Sequence, residues 1–257
     1  MACALALLLT TVLPGAASAS GDFLALPVPY RSQLDGNPYE LADCGPASVA
    51  MILGGYGKDI PTMELRRAIN KLQGTEGNYD AGSFIESLAA VSLQYGLRPI
   101  GLFSGGLDAK GKPGLRRWFF DEVRRTLEAG HPIVPQVWYK GLPGREQKEY
   151  WGDHYIVLTG YTAEGIIYHD PIDKEGSGAA RRMTWAQLDK AWRNSDFPYA
   201  GVAVAGSSDR PSLLAPVAAA PPTATARPNL LRPSARAAAP GDLVHASYPG
   251  ARYVAAD

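Results

Sequence analysis

With 257 residues, 25 Lys+Arg against 25 Asp+Glu and a formal charge of zero, the chain has no electrostatic bias towards nucleic acid or an anionic membrane surface. It is long enough to bury a full core within one folded domain. Its two cysteines, Cys3 and Cys44, fall in different surroundings, and the reading of the chemistry starts from that difference.

Residues 1–19 are apolar from Ala2 to Leu9, break at Pro14-Gly15 and end in Ala17-Ser18-Ala19. An apolar run followed by an A-x-A site reads as a secretory signal peptide cut after Ala19, although no Lys or Arg precedes the run. It is short for a membrane span, so no stable membrane anchor is expected and the mature protein is expected to be secreted or in the cell envelope. Cys3 then leaves with the signal. Cys44 is left as a lone thiol in an oxidising compartment, which a reactive role explains.

Pro27-Val28-Pro29-Tyr30 reads as extended, and Gln33 leads into a turn over Leu34-Asp35-Gly36-Asn37-Pro38. Asp43-Cys44-Gly45-Pro46 then precedes the apolar run Ala47 to Leu53, a buried helix of about three turns. Pro46 suits the first turn, and Gly54, Gly55 and Gly57 supply the stop. Cys44 therefore lies at a helix start, beside free backbone N–H groups and the positive end of the dipole, where a thiolate is favoured. The competing reading is a small buried hydrophobe.

Three further helices follow. Met63 to Gln73, ended by Gly74, sets Leu65, Ile69 and Leu72 on one stripe and Arg66, Arg67 and Lys71 on a solvated face. Ser83 to Tyr95 carries Phe84, Leu88, Val91 and Leu93, with Gly96 as its cap. Phe103 to Gly114 is glycine-rich without an apolar period and reads as a loop. Leu115 to Ala129 places Leu115, Phe119, Val123 and Leu127 on one side, with Arg116-Arg117 and Arg124-Arg125 solvated.

Beyond Gly130 the period shortens. His131 to Tyr139, Tyr155 to Tyr161 and Gly165 to His169 read as strands, the last two joined in a hairpin through Ala163-Glu164. Thr184 is an N-cap for a short helix, Trp185 to Arg193, and Tyr199 to Val204 is a closing strand. Helices first and strands after predict an α+β domain over 23–206, with the N-terminal helices packed on an antiparallel β-sheet. From Pro211 the composition collapses to Ala, Pro, Ser and Thr, and a disordered tail is expected over 207–257.

His154 stands where a loop rich in Gly and charge enters the second strand, and the hairpin returns Asp170 to the level where that strand began. With Cys44 at a helix start, the three residue types match a thiolate nucleophile, an imidazole base and acid, and a carboxylate that fixes the tautomer. Gln33 adds an amide able to donate to an oxyanion. A zinc site from Cys44, His154, His169 and Asp170 lacks the ligand spacing of known zinc motifs, and no cofactor is expected. His131 and His169 read as structural or incidental.

The runs Val28-Pro29-Tyr30 with Gln33, Asp43-Cys44-Gly45-Pro46-Ala47-Ser48, Asp153-His154-Tyr155-Ile156-Val157-Leu158-Thr159-Gly160-Tyr161 and His169-Asp170-Pro171 resemble the free-standing domains similar to cysteine-peptidase family thirty-nine. Those domains are relatives of the peptidases that trim double-glycine leaders from bacteriocins and share a papain-like fold. In the bacteriocin transporters the domain is fused to membrane helices and an ATPase, neither of which is read here. The resemblance runs from about Pro27 to Gly206 and is most specific at the Cys and His blocks. It implies Cys44 as nucleophile, His154 as general base and acid, Asp170 as orienting residue and Gln33 as oxyanion donor. The expected protein is a monomeric, secreted thiol hydrolase acting on a peptide or polypeptide. A cell-wall amidase or transpeptidase would use the same residues, and a silent peptide-binding module is the alternative of another class.

Overall fold

The computed structural model describes residues 23–107, 113–174 and 176–214. The expected signal peptide and most of the expected tail lie outside them. Within them the chain is α+β, as the order of apolar periods predicts. It runs β1 (Phe23–Ala25), α1 (Cys44–Gly55), α2 (Thr62–Gln73), α3 (Ile85–Gln94), β2 (Arg98–Ile100), β3 (Phe103–Leu107), β4 (Pro113–Leu115) and α4 (Phe120–Glu128). It continues through β5 (Ile133–Trp138), β6 (Asp153–Tyr155), β7 (Val157–Thr162), β8 (Gly165–His169), β9 (Arg181–Thr184), α5 (Trp185–Arg193) and β10 (Gly201–Ala205).

α1 is apolar on every side because it is buried on every side: all its residues but Cys44 and Gly54 are buried, the pattern of a central rather than an amphipathic helix. Gly45 lets it lie close against α3, since a Cβ there would come within 2.9 Å of Leu88 and Ser83. α2 buries Leu65 and Ile69 and stops at Gly74, whose left-handed φ of 68° suits glycine. Arg66 departs from the expected solvated face: it is fully buried, while Arg67 beside it is exposed.

The sheet is antiparallel, in the order β2-β10-β5-β7-β8-β9, with β1 added to β7 and β6 to β5. The expected single strand around Ile156 is two. β6 pairs with the far end of β5, His154 facing Val137, whereas β7 pairs with β5 near Ile133 and with β8. The β7–β8 hairpin is as expected; Val157 pairs with His169, so Asp170 emerges level with the start of β7 and next to β6. Thr184 caps α5 reciprocally with Gln187, its Oγ1 accepting from Gln187 N at 3.2 Å and its N–H donating to Gln187 Oε1 at 2.8 Å.

The glycine-rich stretch after Phe103 is not a plain loop: β3 pairs with β4, a backbone ladder that leaves no side-chain period to read. That pairing takes Leu115 out of α4, which begins only at Phe120. Arg117 and Arg125 are exposed, as expected, while Arg116 and Arg124 are half-buried; Arg116, Arg117 and Arg124 lie over the rings of Trp118, Tyr199 and Tyr161 respectively. The expected domain end at residue 206 also falls short. Gly206 N–H donates to Pro211 O at 3.0 Å, Leu213 N–H to Gly130 O at 3.0 Å, and Leu213 is buried against Gly55 at the end of α1. Residues 207–214 are thus a strap on the body. Among the described residues no helix is long and apolar enough to cross a membrane.

Candidate active site

Cys44 is the first residue of α1, and its thiol is free and half-buried. The segment before it is pinned by a buried arginine. Arg66 Nε lies 2.5 Å from Asp43 Oδ1, Nη2 donates to Ala42 O, and Nη1 donates to Ala81 O at 2.9 Å and Asn70 Oδ1 at 3.2 Å. Asn37 Nδ2 reaches the other Asp43 oxygen at 2.8 Å. Burial pushes the Asp43 carboxyl up, against the pull of Arg66 and Asn37. One guanidinium therefore ties the approach to Cys44 to the loop carrying Ala81.

That loop forms part of a cleft. Gln33, Leu41, Ala42, Cys44, Asp80, Gly82, Ser83, Tyr150, Asp153 and His154 line it, with Tyr139, Tyr155 and Ile172. The four residues singled out from the sequence converge here. Gln33, Cys44 and His154 face the cleft, and Asp170 stands behind His154.

His154 sits on β6, buried, with Nε2 2.8 Å from Asp170 Oδ1 and the Tyr139 ring edge-on at 5.3 Å. Cys44 lines the same cleft and acts on the ring electrostatically; with Nε2 held by Asp170, Nδ1 is the nitrogen left for the thiol. Burial pulls the imidazole down, but Asp170 and then Cys44 outweigh it and raise it to about 9. Asp170 is wholly buried. Burial pushes its carboxyl up, yet His154 and then Arg145 prevail and bring it down to about 2. Its Oδ1 also accepts from Ile172 N at 3.3 Å, and Oδ2 meets Arg145 Nη2 at 3.0 Å.

Gln33 is 1% exposed. Its backbone N–H donates to Pro171 O at 2.7 Å, beside Asp170, and its Nε2 donates to Glu40 O at 2.7 Å, while Oε1 has no partner. A carbonyl only accepts, so Glu40 O fixes which end of the amide is nitrogen.

Asp153, Arg145, Arg66 and Asp43 were not singled out as site residues. Asp153 lines the cleft; its Oδ2 accepts from Gln136 Nε2 and from Asp196 N, each at 2.9 Å, and burial foremost raises it to about 6. Asp43 and Asp153 were signalled only by standing next to Cys44 and His154. Arg145 and Arg66 carry no local signal. His169 is structural, as read: Nε2 donates to Val28 O at 2.8 Å and Nδ1 accepts from Ala180 N at 2.9 Å. Both its nitrogens are occupied, which removes it from the zinc set.

A helix-borne thiol and an imidazole in one cleft, with a buried carboxylate behind the imidazole, are the residue types of a thiol hydrolase. The chain belongs to the Peptidase_C39 like family, whose model matches residues 25–199, and so to a family of cysteine peptidases. No curated protein matches it. Among solved structures it is similar to one described as a C39-like peptidase from Bacillus anthracis, at 17% identity and a TM-score of 0.47, covering 70% of this chain and 96% of that one. A double glycine motif protease from an AMS/PCAT transporter, in complex with the leader peptide, matches at 18% identity and a TM-score of 0.45, over 70% and 91%. The peptidase domain of Streptococcus ComA, a bi-functional ABC transporter in a quorum sensing pathway, matches at 19% and 0.38, over 65% and 93%.

Proposed function

We propose that the protein is a cysteine peptidase that cleaves peptide bonds with Cys44 as nucleophile, His154 as base and acid, Asp170 as orienting residue and Gln33 as oxyanion donor. The observation that carries this reading is His154, held on Nε2 by Asp170 Oδ1 at 2.8 Å and lining one cleft with Cys44 and Gln33.

The Cys44 sulfur attacks the scissile carbonyl carbon, and the carbonyl oxygen takes the negative charge. Gln33 Nε2 has two N–H bonds and gives one to Glu40 O, so the second is available to that oxyanion. The first-turn N–H of Cys44 needs no intrahelical acceptor and can join it. His154 gives its proton to the leaving nitrogen, the C–N bond breaks and a thioester remains. Water then attacks the thioester while His154 takes the water's proton, and the thiolate leaves with a carboxylic acid released. Asp170 holds the ring throughout and offsets its positive charge.

We further propose that this chemistry takes place outside the cytoplasm, after removal of residues 1–19. The apolar run and the Ala17-Ser18-Ala19 site support it, and N-terminal sequencing of secreted protein should begin near Ser20. The activity is tested by incubating the protein with a pooled peptide library and with peptidoglycan fragments and reading new termini by mass spectrometry. Cleavage lost in Cys44→Ala and His154→Ala is expected. Products formed only when an amine acceptor is added would mark a transpeptidase. Peptide binding unaffected by Cys44→Ala, with no cleavage by the wild type, would mark a binding module.

A further inference from the structure

Asp170 has a second partner. Arg145 lies in the segment between β5 and β6 that also carries Tyr150 of the cleft wall. Its Nη2 donates to Asp170 Oδ2 at 3.0 Å and to Asp173 Oδ1 at 2.6 Å, with only 11% of the side chain exposed. Asp173 in turn takes Arg181 Nη1 at 2.5 Å on its other oxygen, and Arg181 Nη2 reaches back to Pro143 O at 3.0 Å. Tyr30 OH donates to the backbone carbonyls of Asp170 and Asp173. The cage thus joins four stretches of chain: the segment of Pro143 and Arg145, the turn after β8, β9, and the extended stretch of Tyr30 between β1 and α1.

A lone carboxylate behind a histidine can rotate and present either oxygen. Here Oδ2 is held by a guanidinium, so Oδ1 is the oxygen left to meet His154. The same guanidinium anchors the segment that ends at Tyr150, whose OH donates to Asp153 O at 2.9 Å, one residue before His154. We propose that Arg145 is a positioning residue of this site: by holding Asp170 and Asp173 together it aims Asp170 at His154 and fixes the cleft-wall segment in the same act. The inference rests on the peptidase reading for its catalytic consequence, but the geometry it invokes does not.

The charge of Arg145 acts on His154 through Asp170. The other titratable groups that face His154 are Cys44, Tyr139 and Asp153, and none of the variants below alters them. Removing the cation leaves Asp170 wholly to the imidazolium, so His154 should hold its proton to higher pH.

The test follows the rate of Cys44 alkylation by iodoacetamide against pH, beside cleavage of the pooled peptide library, in the full chain. In Arg145→Met the His154 inflection should rise by about one unit, and kcat should fall about tenfold or more, since a misaimed group loses rate steeply. Arg145→Lys keeps the charge, and because both carboxylates are met by the single nitrogen Nη2 an ammonium can replace it in kind; its inflection should stay and kcat should fall less than in Arg145→Met. If Arg145→Met does not fold, Asp173→Asn decides: it leaves Arg145 to Asp170 alone, and the inflection should drop. An unmoved inflection in the folded Met variant, or in Asp173→Asn where Met fails, overturns the proposal and leaves the peptidase reading intact. A wild type that shows the His154 inflection and its shift in Arg145→Met but cleaves nothing ends the peptidase reading and leaves this one standing. A wild type without the inflection ends both.

Discussion

Arg66 and Asp43 form an ion pair with neither side chain exposed, at 2.5 Å, one residue before Cys44. Removing one partner of such a pair leaves a buried charge unmatched, which costs about 3–5 kcal/mol. Arg66→Met should therefore lower the denaturation midpoint sharply, whereas Asp43→Asn together with Arg66→Met should recover part of the loss. Urea unfolding of the two single variants and the double variant measures the coupling, and strictly additive losses would contradict it.

Stability against pH should carry the mark of the site. Asp170 is lowered from 3.8 to about 2, so its contribution is present above 3.8 and lost as pH falls through about 2. His154 is raised from 6.5 to about 9, so its contribution is complete below 6.5 and lost as pH rises through about 9. Asp153, raised to about 6, contributes below 3.8 and loses that contribution as pH rises through about 6. Unfolding free energies between pH 6.5 and 9 should fall for the wild type and stay flatter in His154→Gln. Asp153→Asn should flatten the span from about 4 to 6.

Gln33→Ala should lower kcat by about 10²–10³, or roughly 2.7–4 kcal/mol of transition-state stabilisation, with a smaller effect on KM, because its bond tightens only as the oxyanion forms. Asp170→Asn should cost up to about 10⁴ in kcat while leaving substrate binding largely unchanged. Steady-state kinetics on the best peptide from the library separates these outcomes. A rise in KM alone for Gln33→Ala would move it from catalysis to binding.

The strap over residues 207–214 predicts two truncations of opposite effect. Ending the chain after Leu214 should leave the melting temperature close to that of the full chain. Ending it at Gly206 removes buried Leu213 and the Gly130 contact and should lower it clearly. Leu213→Ala should cost about 2–5 kcal/mol by itself, and equal melting temperatures for both truncations would show that the strap adds nothing.

What could be read from the sequence was local. The helix from Cys44, the β7–β8 hairpin and the Thr184 cap are set by residues within a few positions of one another, and Gln33, Cys44, His154 and Asp170 meet as their order suggested. The burial of Arg66 is not legible because an amphipathic stripe treats every arginine as outward, while the carboxylate that takes it inward stands 23 positions earlier. Arg145 is illegible for the same reason: its partners are 25 and 28 positions away. β3 and β4 escaped because glycine leaves a strand's pairing in the backbone alone. The end of the domain is hidden because Leu213 stands among Ala- and Pro-rich neighbours, while the surface it covers, Gly55, lies far back in the sequence.

α1 has the candidate nucleophile at its first residue, and Leu213 packs at its last, Gly55. Twelve helical residues rise about 18 Å, so the two features occupy opposite poles of one rigid rod. In a chain ended at Leu214, a carrier protein or a bead joined directly to that residue would be tethered at the pole away from Cys44, leaving the mouth of the cleft free to meet a long polypeptide.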